Sequence, residues 1–139
     1  MTKAYEDSKA IVAALEKGLH GVTVLPGWVA IYENDLISGR NGRGFPCVCV
    51  FYDKDQNTRL AGTPDNKISR TLTVAGAVRI SDDEDINEAL DNLLFNVKKA
   101  LVDVPKLTLP DVSFMLPESS TEYAMFVAKV VFTTTEKWQ

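Results

Sequence analysis

Residues 70–101 read RTLTVAGAVRISDDEDINEALDNLLFNVKKAL, and two periods meet inside them. From Arg70 to Ile80, Leu72, Val74, Gly76, Val78 and Ile80 alternate with Thr71, Thr73, Ala75, Ala77 and Arg79. A period of two predicts a β-strand with one face against a helix. Further on, Ile86, Ala89, Leu90, Leu93, Leu94, Val97 and Leu101 recur at helical spacing, a wide apolar stripe suited to packing on that strand. At the junction Ser81 with Glu84 three residues on makes a capping box, and Asp82, Asp83 and Asp85 add negative charge where the helix dipole favours it. Lys98 and Lys99 precede Pro105, where the helix is expected to have stopped.

Working outward, Phe45 to Tyr52 (FPCVCVFY) is a continuous apolar run, as expected of a central strand covered on both faces. Between it and the alternating strand, Asp53 to Lys67 is polar and turn-rich and reads as an excursion. Leu107 to Leu116 reads as a short strand that Pro110 confines to a sheet edge, with a turn at Glu118 to Thr121. Tyr123 to Thr135 is the last strand. Ala124, Phe126, Ala128, Val130 and Phe132 fall on one face and Tyr123, Met125, Val127 and Val131 on the other, so each face needs a cover. Upstream, Ile11, Ala14, Leu15 and Leu19 predict a helix from Thr2 or Asp7 to Leu19. Val22 to Leu25 and Trp28 to Tyr32 are β-prone runs around Pro26-Gly27 and predict a short arm or hairpin with a type II turn. Asn34 to Gly44 loses periodicity and reads as a loop.

These elements predict an α+β fold: one domain over residues 1–139, with a mixed or antiparallel sheet of about four to six strands, two helices packed on one face, and a short β arm. Two helices leave little to cover the second sheet face, so a second chain is the expected cover.

The chain has 139 residues, 45% hydrophobic and 24% charged, the composition of a folded domain. A net charge of -4 gives no global attraction to nucleic acid or anionic membrane. No stretch approaches the roughly 20 apolar residues of a membrane span and the first residues do not pattern as a secretory signal, so a cytosolic origin is expected. Cys47 and Cys49 are the only cysteines; in an extended segment they share a face about 7 Å apart. That spacing suits buried thiols better than a disulfide, and one histidine, His20, is too little for a metal site.

Nucleophilic chemistry needs a base beside its nucleophile, and His20 sits alone just past a helix end, where the dipole favours a solvated imidazole. No enzyme, metal or cofactor is expected. The stretch GRNGRG, Gly39 to Gly44, offers glycines and the forked donors of Arg40 and Arg43 but lacks the Lys-Ser/Thr of a phosphate loop. Solvated arginines are the plain alternative to a contact with DNA or a neighbouring subunit. Trp28, Tyr32 and Trp138 are aromatics of the kind that anchor interfaces.

In element order, the chain resembles the tail terminator proteins of tailed bacteriophages, the minor tail protein U family of lambda-like phages and its counterparts in contractile-tailed phages. The likeness rests on IVAALEKGL near the start, FPCVCVFYD where the family has a Phe-Pro-x-Val-x-Val strand after a loop, VRISDDEDINEALDNLL at the strand-helix junction, and the closing YAMFVAKVVFTTTE. It departs from the lambda-like members in a longer Gly-Arg loop. The resemblance implies a virion tail protein, assembled in the bacterial host cytoplasm, that caps the tail tube as a hexameric ring. Its implied partners are further copies of itself, the major tail tube protein and a head-connector protein, with DNA passing through the ring and no membrane contact. On that reading Arg40 and Arg43 lie on a loop facing the lumen or a neighbour, Trp28 and Tyr32 on an arm reaching the next subunit, and Met125 and Val127 on the strand face buried between subunits. The competing expectation is a small ferredoxin-like module that holds a ligand or nucleic acid across its sheet.

Overall fold

The computed structural model describes residues 2–80, 85–115 and 122–138. Among them the chain forms α1 (Lys3–Gly18), β1 (Thr23–Pro26), α2 (Val29–Ser38), a 3-10 turn (Arg40–Gly42), β2 (Cys47–Arg59), β3 (Asp65–Arg79), α3 (Ile86–Leu101), β4 (Leu107–Met115) and β5 (Tyr123–Lys137). The five strands make one mixed sheet in the order β1-β2-β3-β5-β4. β1 runs parallel to β2 and every other neighbour is antiparallel. The expected α+β class with a mixed sheet is what the chain adopts.

The alternating stretch forms β3, and its even positions Leu72, Val74 and Val78 join Phe126, Ala128 and Val130 of β5 beneath the buried stripes of α1 and α3. Gly76, in the same period of two, faces the same way, and Phe126, its register partner, fills the space a Cβ would occupy. α1 and α3 cross closely at Gly18, where an added Cβ would come within 2.6 Å of the Ala100 Cβ. α1 begins at Thr2, whose hydroxyl accepts from the Tyr5 N–H at 3.2 Å.

Three expectations are corrected. First, the hairpin arm is absent: only Thr23–Pro26 is a strand, inside the main sheet, and Trp28 is the N-cap of a helix that carries the chain back to β2. Val29, Tyr32 and Leu36 point that helix onto the sheet face opposite α1 and α3, and Gly39, at φ 74, ends it in the left-handed cap that glycine adopts without steric cost. Second, the polar excursion is a continuation of the ladder: β2 and β3 stay paired to Arg59 and Asn66 beyond a bulge near Asp53, and only Leu60–Pro64 turns. Third, Asp85, not Ser81, caps α3, its carboxylate accepting from the Asn87 N–H at 2.9 Å. Ser81–Glu84, with the rest of the expected capping box, lie outside the described residues, as does the turn Glu118–Thr121.

β4 is an edge strand, and its register with β5 shifts between Thr108 and Asp111, around the proline. Pro110 lacks the N–H an interior ladder needs, so this position at the sheet margin follows from its chemistry.

Candidate functional site

The second face of the sheet is read row by row from the register. Cys47, Ala77 and Met125 stand side by side, then Cys49, Ala75 and Val127, then Phe51, Thr73 and Lys129. α2 lies over the first part of this face, where Leu25, Val29 and Leu36 pack with Cys47, Cys49, Ala75, Ala77 and Met125 into a second small core. Beyond it the face is uncovered among the described residues: Phe51, Val127 and Val131 are half-buried, and Trp28 and Ile31 at the start of α2 are 41% and 73% exposed. Trp28 meets Phe51 edge to face with centroids 4.6 Å apart, joining helix and sheet into one apolar surface.

A polar island stands within this surface. The Lys129 ammonium lies 3.0 Å from Asp53 Oδ2 and donates to the Thr73 hydroxyl at 3.0 Å. Val127 and Val131 flank Lys129 on β5, and Asp111 of β4 is its register partner on the other side.

The structure brings together Tyr32 and Arg43 but gives them local work, while Trp28 packs on Phe51. The Tyr32 hydroxyl donates to the Pro26 carbonyl at 2.6 Å, fixing α2 on the turn at Gly27, whose φ of 113 and N–H bond to the Val50 carbonyl at 2.9 Å close the end of β1. The Arg43 guanidinium lies 4.7 Å from the Tyr32 ring centroid and 2.6 Å from Asp35 Oδ2, while the Asn41 amide donates to the same carboxylate at 3.2 Å. Hydrogen bonds from Asn41 and then Arg43 hold the Asp35 carboxyl below its ordinary range. Arg43 is therefore not the solvated arginine of a loop; Arg40 is exposed in the 3-10 turn. Met125 is 8% exposed and sits in the chain's own core under α2, so it is not part of the open surface; Val127, one row on, is half-buried at its margin. Phe51 and Ile31 are not legible as surface residues in the sequence, because the apolar run around Phe51 has the pattern of a covered strand and the β-prone run holding Ile31 has no defined faces.

Cys47 and Cys49 are buried free thiols on the α2 side. Cys49 is pushed up, first by its hydrogen bond with Cys47 and then by burial, so its thiol stays neutral.

On the α3 side, at the end of the sheet, an open cleft of about 630 Å³ lies between the turn after α1, the start of β2 and α3. His20, Arg79, Asn92 and Asn96 supply its polar lining and Val22, Phe45 and Leu93 part of its apolar lining. Arg79 is held there by Glu122 at 3.1 Å.

No protein family and no curated protein matches the chain. Among solved structures it is similar to the type 4 fimbrial biogenesis protein PilO from Pseudomonas aeruginosa, at 11% identity over 96% of this chain and 82% of that chain, with a TM-score of 0.34. A superposition at that level carries no functional argument. No helix among the described residues is long and apolar enough to cross a membrane.

Proposed function

We propose that this chain is a structural assembly subunit that associates with copies of itself into a ring, and that the ring caps a phage tail tube and offers the surface on which the head joins. The observation that carries the assembly step is the half-covered second sheet face. α2 buries one part of it, and the remainder presents Trp28, Ile31, Phe51, Val127 and Val131 around the Lys129–Asp53 ion pair. Contiguous apolar surface of this kind is what contacts between chains use. The assignment to a tail rests on the resemblance in the sequence, above all FPCVCVFYD and the closing strand.

The test is elongation of tail tube protein in the presence of the purified chain. Tubes that stop growing, with added density at one end by negative-stain imaging, support the proposal; elongation that proceeds unchanged, with bare ends, argues against it.

The cleft at His20, Arg79, Asn92 and Asn96 favours a second reading, a small ligand-binding module. A screen of small anions and amides by thermal shift tests it: stabilisation abolished by Asn92→Ala supports that reading, and no shift with any compound argues against it.

A further inference from the structure

Asparagine chemistry singles out one position of the chain. Of its seven asparagines, Asn41 alone precedes a glycine. The others lie inside α2, β2, β3 and α3, and each precedes a residue with a side chain. Asn41 and Gly42 are both exposed in the 3-10 turn after α2, with φ of 55 and 69. Asparagine tolerates that left-handed conformation, and no described atom lies within 4 Å of where a Cβ on Gly42 would stand. The Gly42 nitrogen is therefore unshielded beside an amide side chain.

The turn is held by contacts to α2. The Asn41 amide donates to Asp35 Oδ2 at 3.2 Å, the oxygen that Arg43 Nη1 meets at 2.6 Å. The Arg43 N–H donates to the Arg40 carbonyl at 3.0 Å, closing the chain over Asn41 and Gly42. These contacts keep the amide against the helix and away from the main chain that follows it. Local opening releases it, and exposed turns are the segments that open most readily.

We infer that Asn41 is a self-modification site, converted slowly to aspartate or isoaspartate, and that the product unseats the brace on the end of α2. The Gly42 nitrogen gives its proton to a solvent base and attacks Asn41 Cγ. The N–Cγ bond forms, the Cγ–Nδ2 bond breaks, and Nδ2 leaves as ammonia with a proton from solvent. Water then opens the five-membered imide, at Cγ to give aspartate or at the main-chain carbonyl carbon to give isoaspartate. Nothing is oxidised or reduced. Either product replaces a donor to Asp35 with a second carboxylate, where like charges repel, and isoaspartate also lengthens the main chain within the turn. The inference is independent of whether copies of the chain assemble.

The test ages the purified protein at mildly alkaline pH and follows each asparagine by mass spectrometry, after digestion with a protease that does not cut at arginine. Asn41 is expected to exchange its amide nitrogen for oxygen before any other asparagine. Asp35→Ala removes the acceptor and should speed that exchange severalfold, whereas Asp35→Asn, which keeps an oxygen acceptor, falls between. Circular dichroism shows that the variants fold, and if Asp35→Ala does not, Asp35→Asn carries the comparison. Aged wild type should melt below fresh protein, with raised amide exchange across 29–38. Asn41→Asp should move the same way without ageing, and Asn41→Gly, which adopts the same φ and has no amide, should not change as it ages. Exchange that begins at another asparagine, or that is absent at Asn41 while the urea-unfolded chain undergoes it, overturns the site. Equal rates in wild type and the Asp35 variants, or aged protein that melts like fresh protein, overturn the coupling to α2.

Discussion

Arg43 Nη1 sits 2.6 Å from Asp35 Oδ2, and through that contact the glycine-rich stretch becomes the brace for the end of a helix. The guanidinium covers Tyr32 at 4.7 Å, so one side chain joins the stretch to both the middle and the end of α2. Arg40, three residues earlier, is exposed. The two arginines should therefore separate by experiment. Arg43→Ala is expected to lower the melting temperature and to raise amide exchange across 29–38, whereas Arg40→Ala leaves both unchanged; equal effects would contradict the assignment.

The same contact sets a pH dependence. Asp35 has its carboxyl held below the ordinary value of 3.8 by Asn41 and Arg43, so the folded state favours the ionised form. Its contribution is fully present above that value and is lost as pH falls through the lower, folded value. Wild type and Asp35→Asn should therefore differ in melting temperature at neutral pH and converge in acid. A difference that grows on acidification would contradict the sign.

Gly76 tests the packing of the main core. Its register partner Phe126 is fully buried and occupies the space above it, with Leu93 Cδ2 3.1 Å from the position of an added Cβ. Gly76→Ala should cost about 1–3 kcal/mol through overpacking. Combining it with Phe126→Leu should cost less than the sum of the single changes, because the smaller side chain makes room. Additive costs in a denaturant-unfolding cycle would contradict the contact.

Arg70 is the buried charge on which α1 is fixed to the far part of the sheet. It meets Asp7 at 3.3 Å and Glu136 at 3.3 Å, with Asp55 at 3.5 Å, and both Arg70 and Asp7 are buried. Arg70→Ala leaves the buried Asp7 carboxylate with only the half-exposed Lys3 ammonium at 3.5 Å and should cost about 3 kcal/mol, the low end for breaking a buried pair. Arg70→Ala with Asp7→Ala should recover part of that loss in urea unfolding; no recovery would mean that the pair does not act as a unit.

Much of the architecture was legible because hydrophobic period and burial coincide. Leu72, Val74 and Val78 alternate and are buried on one side, the α3 stripe faces them, and Pro110 marks an edge strand. α2 was misread because Val29, Ile31 and Tyr32 are β-branched or aromatic and follow a Pro-Gly turn, so local propensity and tertiary packing disagree. The spacing of Val29, Tyr32 and Leu36 and the stop at Gly39 were the signals for a helix, but a loop assigned from Asn34 cut off Leu36. The long ladder beyond Asp53 carries few apolar side chains to reveal it: Ile68 is buried, while the paired β2 residues are exposed and polar. Its pairing comes from backbone bonds that extend an existing sheet. Of the expected site residues, Trp28 and Val127 lie on the open surface and Met125 does not, because the helix that buries it was read as a strand.

The central claim is that the open sheet face assembles copies of this chain. The most direct measurement is the mass of the purified wild-type protein across a concentration series by light scattering on a sizing column, with negative-stain imaging of the largest species. The account expects the mass to rise with concentration to a discrete multiple of the 15.3 kDa chain, seen as closed rings. A mass that stays at one chain over the whole series, or stops at two, would contradict it.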